Sequence, residues 1–171
     1  MVNTKTYIII NETLWETVLP NYQNLTSQIT DLTVNFINDD DNLDFIKNKQ
    51  LIFNLCLSND DEVHSLNKEF RGLDKPTNVL SFANIDSDDF EELIASNNEI
   101  EMGDIIISLQ TLQKEATKKN ISLHNHFCHL LIHGILHLLG YDHIEDHDAE
   151  IMEGYEIKIL EKLNISNPYQ E

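Results

Sequence analysis

His133-Gly-Ile-Leu-His137-Leu-Leu-Gly140-Tyr-Asp-His143 sets three histidines at relative positions 0, 4 and 10, with a glycine at 7. Helical residues four apart lie one above the other, with Cβ atoms roughly 5–6 Å apart. His133 and His137 therefore reach one ion from one helix face. Gly140 lets the backbone leave the helix, because glycine tolerates the left-handed conformation after a last turn. The turn that follows brings His143 back as a third nitrogen. Three imidazoles and an open fourth position suit a catalytic zinc, one per chain, since structural zinc is normally closed by four protein ligands. The spacing thus predicts a central helix with a three-histidine metal site on its end and on the following turn.

The same spacing occurs in the metzincin proteases, whose first histidine is followed by a glutamate that acts as general base. Here that position is Gly134. The metal cage reads as present and the protease base as absent.

Around this helix the chain has 171 residues, 41% hydrophobic, enough for one domain that buries roughly 70% of its unfolded surface. The expectation is a single domain over residues 1–171. No apolar run approaches the roughly 20 residues of a membrane-spanning helix. The N-terminal apolar segment is too short for a signal peptide. These features predict a cytoplasmic protein without a membrane partner. Cys56 and Cys128 lie in apolar stretches and read as buried free thiols. The formal net charge of -19 argues against nonspecific nucleic-acid binding, which depends on cations neutralising phosphates. An anionic ligand must then be met locally, by a metal and a few placed cations.

Clusters of β-branched and apolar residues predict strands at 5–11, 51–57, 77–82 and 103–108. Helices are expected at about 22–37, from Ser58 or Asn59 through Phe70, at 109–119, from Ser122 to Leu139, and at 146–163. Residues 38–44 read as a polar loop. Residues 84–101, with seven acids and no base, read as an exposed loop with room for one helical turn. The expected fold is α+β: a mixed four-stranded sheet packed with about five helices. His126, His129, His133 and His137 form one helical stripe. The first two are expected to hydrogen bond beside the metal, since a fourth ligand would close the site. Asp142 is expected either to orient a ligand histidine or to shape the turn.

A second constellation, Leu66-Asn-Lys-Glu-Phe-Arg71-Gly-Leu-Asp-Lys75-Pro-Thr-Asn-Val-Leu-Ser-Phe82, holds the single arginine of the chain. Arginine is planar, bidentate and always charged, which suits phosphate. Lys68 and Lys75 add local positive charge.

With these residues in view, the chain resembles the YbeY family of bacterial rRNA maturation factors. The stretch 133–143 resembles the family hallmark almost letter for letter. The Arg71 constellation and Gly103-Asp-Ile-Ile-Ile-Ser108 resemble two further signatures in the family's order. The likeness covers roughly residues 50–165, and Ala83 stands where the family usually has proline. The resemblance implies a zinc-dependent, single-strand-specific endoribonuclease acting in rRNA maturation at the 16S 3′ end and in ribosome quality control. It implies zinc ligation by His133, His137 and His143, catalytic roles for Arg71 and His133, and a cleft between strand 77–82 and the central helix. The implied partners are single-stranded RNA or rRNA and the small ribosomal subunit or its proteins, with no DNA. Two alternatives stay open: a metallopeptidase-like hydrolase, and a zinc-containing ribosome assembly factor that does not cut.

Overall fold

The structure, a computed structural model, describes residues 1–41 and 43–170. Strand β1 (Asn3–Ile10) is followed by helices α1 (Leu14–Val18) and α2 (Tyr22–Asp41), then β2 (Gln50–Ser58) and α3 (Asp60–Arg71). Strand β3 (Val79–Ala83), helix α4 (Phe90–Ser96) and β4 (Glu99–Ser108) come next, then α5 (Leu109–Lys119), α6 (Leu123–Leu138) and α7 (Asp146–Lys162). The sheet order is β1-β2-β4-β3. β1, β2 and β4 run parallel, and β3 pairs antiparallel with β4 at the edge. This is the expected mixed four-stranded α+β sheet.

β2 and β4 are the interior strands. Their Leu51, Phe53, Leu55 and Leu57, with Ile100, Met102, Ile105 and Ile107, are all buried. Such near-continuous apolar burial is what interior parallel strands require. One buried cluster joins these strands to α2, α6 and α7 through Ile29, Ile37, Phe127, Leu131, Ile135, Met152 and Ile159.

α6 is the helix on which the fold closes. The Ser122 hydroxyl accepts the Asn125 N–H at 3.0 Å and starts it, a cap that contributes about 1 kcal/mol. The helix packs on β3 and β4 and is enclosed by α2, α5 and α7. It approaches β4 very closely. A Cβ added at Gly134 would stand 3.0–3.2 Å from three side-chain carbons of Ile105. At Gly103, φ is +134°, and an added Cβ would lie 2.1 Å from the Phe82 carbonyl oxygen. Gly103 follows a bulge in β4, where Ile52 pairs with Glu101 and Phe53 with Gly103.

The structure corrects several expectations. Segment 84–101 is more ordered than its acids suggest. A 3-10 turn spans Asn84–Asp86, α4 is anchored by buried Phe90, and β4 begins at Glu99 because Ile100 and Met102 enter the core. The loop expected at 38–44 is helical through Asp41 and forms a 3-10 turn at Asp44–Ile46, while Asn42 lies outside the described residues. There are seven α-helices among the described residues. The two that the periodicity did not show, α1 and α4, are too short for it. In α1, buried Trp15 donates Nε1–H to the Ser58 carbonyl at 2.8 Å and meets Phe127 edge-on at 5.8 Å. Both cysteines are free, but Cys56 is only half-buried. Among the described residues no helix is long and apolar enough to cross a membrane.

Candidate metal centre

The last turn of α6 delivers His133 and His137 to one side, and the chain then turns sharply. Gly140 takes φ +104°. Tyr141 N–H bonds the Leu136 carbonyl and Gly140 N–H the His137 carbonyl, both at 3.0 Å. This left-handed helix ending closes the orphan carbonyls of α6 and turns the chain back toward the helix. His143 arrives beside the other two rings, with centroids 5.1 Å from His133 and 5.0 Å from His137. One nitrogen from each of the three lies within 4.8 Å of the others.

The polar partners of these rings fit a metal. His137 donates Nδ1–H to the Tyr141 carbonyl at 2.9 Å. His133 turns Nδ1 toward Glu156 at 3.4 Å. His137 then keeps its lone pair on Nε2, which faces His133 Nε2 at 3.1 Å. Two ring nitrogens this close can share one cation. Burial, followed by the nearby His133 and His143, pushes the His137 imidazole down to about 4. It therefore stays neutral, as a ligand must be.

Glu156 is the residue of the candidate site that the sequence alone did not single out. It is fully buried on α7. Burial pushes its carboxyl upward, but hydrogen bonds from His129 and His133 outweigh this and hold it at about 2. It accepts from His129 Nε2 at 2.6 Å and from the Tyr169 hydroxyl at 2.8 Å. A signal was present: Met152, Glu156, Ile159 and Leu160 follow helical spacing, so the glutamate sits on the buried stripe of α7. Carboxylates behind metal-binding histidines fix tautomer and ring orientation.

The rest of the stripe behaves as expected. His126 meets Glu115 at 2.8 Å, and burial, partly offset by Glu115, lowers its imidazole. Glu115 also accepts from Asn78 Nδ2 at 2.9 Å. Of the two expectations for Asp142, the structure shows the turn: it is exposed and accepts the Ile144 N–H at 3.3 Å. The Tyr141 carbonyl, not Asp142, orients His137.

The histidines form one wall of an open cleft of about 430 Å³, which Arg71, Thr77, Asn78, Val79 and Ser81 also line. The cleft lies between β3 and α6, where the resemblance placed it. Arg71 sits at the end of α3, where Gly72 closes the helix at φ +69°. It is exposed, and it makes no hydrogen bond or ion pair among the described residues. All its donors are thus available to a ligand. Lys68 pairs at 3.9 Å with Asp74, and neither it nor Lys75 lines this cleft. Gly134 faces Ile105 of β4, so the position of a metzincin glutamate is turned into the core.

Fold and site together define a single-domain α+β protein with a three-histidine cluster, able to hold a metal ion, on the wall of an open cleft. Residues 9–164 match the family described as Endoribonuclease YbeY. The chain is 50% identical over 116 residues to the Endoribonuclease YbeY of Sphingopyxis alaskensis, covering 67% of this chain and 69% of that one. It is 40% identical over 159 residues to that of Francisella tularensis subsp. tularensis, covering 84% and 93%. The solution structure of TM1509 from Thermotoga maritima shares the fold, with a TM-score of 0.57 at 24% identity, covering 98% of this chain and 100% of that one. The chain belongs to the endoribonuclease YbeY family. The match includes most of the first 50 residues, in which the sequence reading found no motif.

Proposed function

We propose that this chain is a zinc-dependent endoribonuclease that cuts single-stranded RNA in the maturation of ribosomal RNA, at the 16S 3′ end, and in ribosome quality control. The observation that carries the reading is the sharing of one cleft by the three-histidine centre and an unpaired arginine. His133, His137 and His143 hold the ion, with Glu156 and the Tyr141 carbonyl fixing two of the rings. Zinc in such a site supplies Lewis acidity toward a phosphoryl oxygen and lowers the pKa of water to about 7. Arg71 presents its guanidinium fork to the scissile phosphate and stabilises the negative charge that grows on it. His133 serves the reaction as a ligand on the cleft wall. RNA carries its own nucleophile, the 2′-hydroxyl beside each phosphate, so a glutamate at position 134 is not required as it is in a protease.

The net charge of -19 keeps RNA off most of the surface and confines binding to places where cations are locally arranged. We assign the small ribosomal subunit or its proteins as the partner that brings substrate to this acidic chain, and the cytoplasm as its compartment.

The test uses untagged protein, so that no added histidines bind metal. Zinc per chain and cleavage of single-stranded RNA are measured for wild type, His133→Ala and Arg71→Ala. The expected result is about one zinc in wild type, as for a single three-histidine site, with metal and cleavage both lost in His133→Ala. Arg71→Ala keeps the metal and loses cleavage. Cleavage that is absent or equal in all three proteins overturns the enzyme reading and leaves a zinc-containing assembly factor. Product ends settle the route, since a 2′,3′-cyclic phosphate reports attack by the 2′-hydroxyl.

A further inference from the structure

The C-terminal end of α2 is built against its own helix. Asp39, Asp40 and Asp41 lie at its end, and its last turn holds no basic residue. Acids at the carbonyl end of a helix meet the negative pole of its dipole, and adjacent like charges repel. Two of the three are engaged by tyrosines. Asp40 accepts the Tyr155 hydroxyl at 2.6 Å, and Asp41 accepts the Tyr141 hydroxyl. The two tyrosine rings pack edge to face at 5.3 Å, and Phe36 of α2 packs on Tyr155 at 6.4 Å.

Tyr141 is also the residue whose carbonyl receives His137 Nδ1–H at 2.9 Å. It stands between Gly140, at φ +104°, and the exposed His143, which makes no hydrogen bond among the described residues. Beyond the bonds within the turn and to α6, the Tyr141 hydroxyl gives the turn that carries the third histidine its hydrogen bond to α2. We propose that the Asp41–Tyr141 bond, braced by Asp40–Tyr155, is a positioning clamp that ties α2 to the metal turn and sets the affinity of the centre for its ion. The inference rests on the metal-centre reading above. It gives a function to a helix in which the sequence showed no motif. A turn held in place before binding spares the ordering that would otherwise weaken capture of the ion.

The test is zinc affinity of the metal-stripped full chain, measured by competition with a chromogenic chelator, with the visible spectrum of the cobalt form as a second readout. Tyr141→Phe keeps the backbone carbonyl and the ring and deletes only the hydroxyl. It is expected to weaken zinc binding about tenfold, the lower end for partners behind metal ligands, and to alter the cobalt spectrum. Asp41→Ala is expected to do the same. The double variant is expected to be no weaker than either single one, because both remove one bond. Asp39→Ala relieves the same helix-end charge without touching a tyrosine and is expected to leave affinity unchanged. Thermal unfolding of the metal-free variants separates the clamp from general loss of stability. Unchanged affinity in Tyr141→Phe, or losses in the two single variants that add, overturns the clamp. Wild type that takes up no metal is a different outcome and removes the metal centre itself.

Discussion

Glu156→Gln keeps the shape of a buried side chain and deletes its charge, and the structure fixes what that deletion should cost. The carboxyl is held at about 2, against an ordinary 4.5, because hydrogen bonds from His129 and His133 outweigh a burial that pushes it up. That fall corresponds to about 3 kcal/mol in favour of the ionised form. A count of bonds gives a similar figure. Two short contacts reach this carboxylate, 2.6 Å from His129 and 2.8 Å from Tyr169. Hydrogen bonds to charged groups contribute about 1.5–3 kcal/mol each. Both short contacts reach Oε1, so a glutamine that keeps its oxygen there loses the charge behind both bonds and turns its amide nitrogen toward His133 Nδ1, which lies 3.4 Å from Oε2. The metal-free variant should lose about 3 kcal/mol in urea unfolding, with an unchanged dependence on denaturant. The sign follows from a depressed carboxylate: the stabilisation is present above pH 4.5 and is lost as pH falls toward 2. Near pH 7 the effect is at its full size. Zinc affinity should fall about tenfold, because His133 loses the partner that orients it. A stability loss under about 0.5 kcal/mol, which is the range of an ordinary surface change, would refute the view that this buried carboxylate organises the histidine stripe.

Gly103→Ala is expected to leave little folded protein, visible as a collapse of soluble yield and of the unfolding transition, because its Cβ would stand 2.1 Å from the Phe82 carbonyl at a φ of +134°. His126 gives a pH dependence. Burial lowers its imidazole despite Glu115, so the folded chain refuses a proton that the unfolded chain accepts below about 6.5. Its contribution is complete above that pH and is lost as the pH falls through it; His126→Gln should flatten the change in unfolding free energy between about pH 7.5 and 5.5. Arg71→Lys keeps a charge but not the fork. Unfolding free energy should stay within about 0.5 kcal/mol at this exposed position, while RNA cleavage falls; cleavage at the wild-type rate would mean that any cation serves.

What the sequence disclosed and what it hid follow from the range of the interactions. The histidine spacing is local, so the helix from Ser122, the turn at Gly140 and the convergence of His143 could be predicted from a short stretch. The strands followed from β-branched and apolar runs, which in β2 and β4 fill interior positions. Glu156 was hidden because its partners, His129 and His133, come from another helix, and no local rule pairs them. The Asp40 and Asp41 contacts span more than 90 positions of sequence and turn acids that read as a loop into the end of a helix. Segment 84–101 misled for the same reason, since its acids outnumber the few apolar residues (Phe90, Ile100) that fix it to the core.

The contact between Gly134 and Ile105 also bears on how this protein can evolve. In the genetic code one base change turns some glycine codons into glutamate, so in letters this chain stands one step from the protease signature. In space the step is far longer. The new side chain would start inside the packing of α6 on β4, where added bulk costs about 1–3 kcal/mol and an unpaired carboxylate far more. The barrier to a glutamate at this position is thus the closeness of α6 to β4 rather than any feature of the histidines.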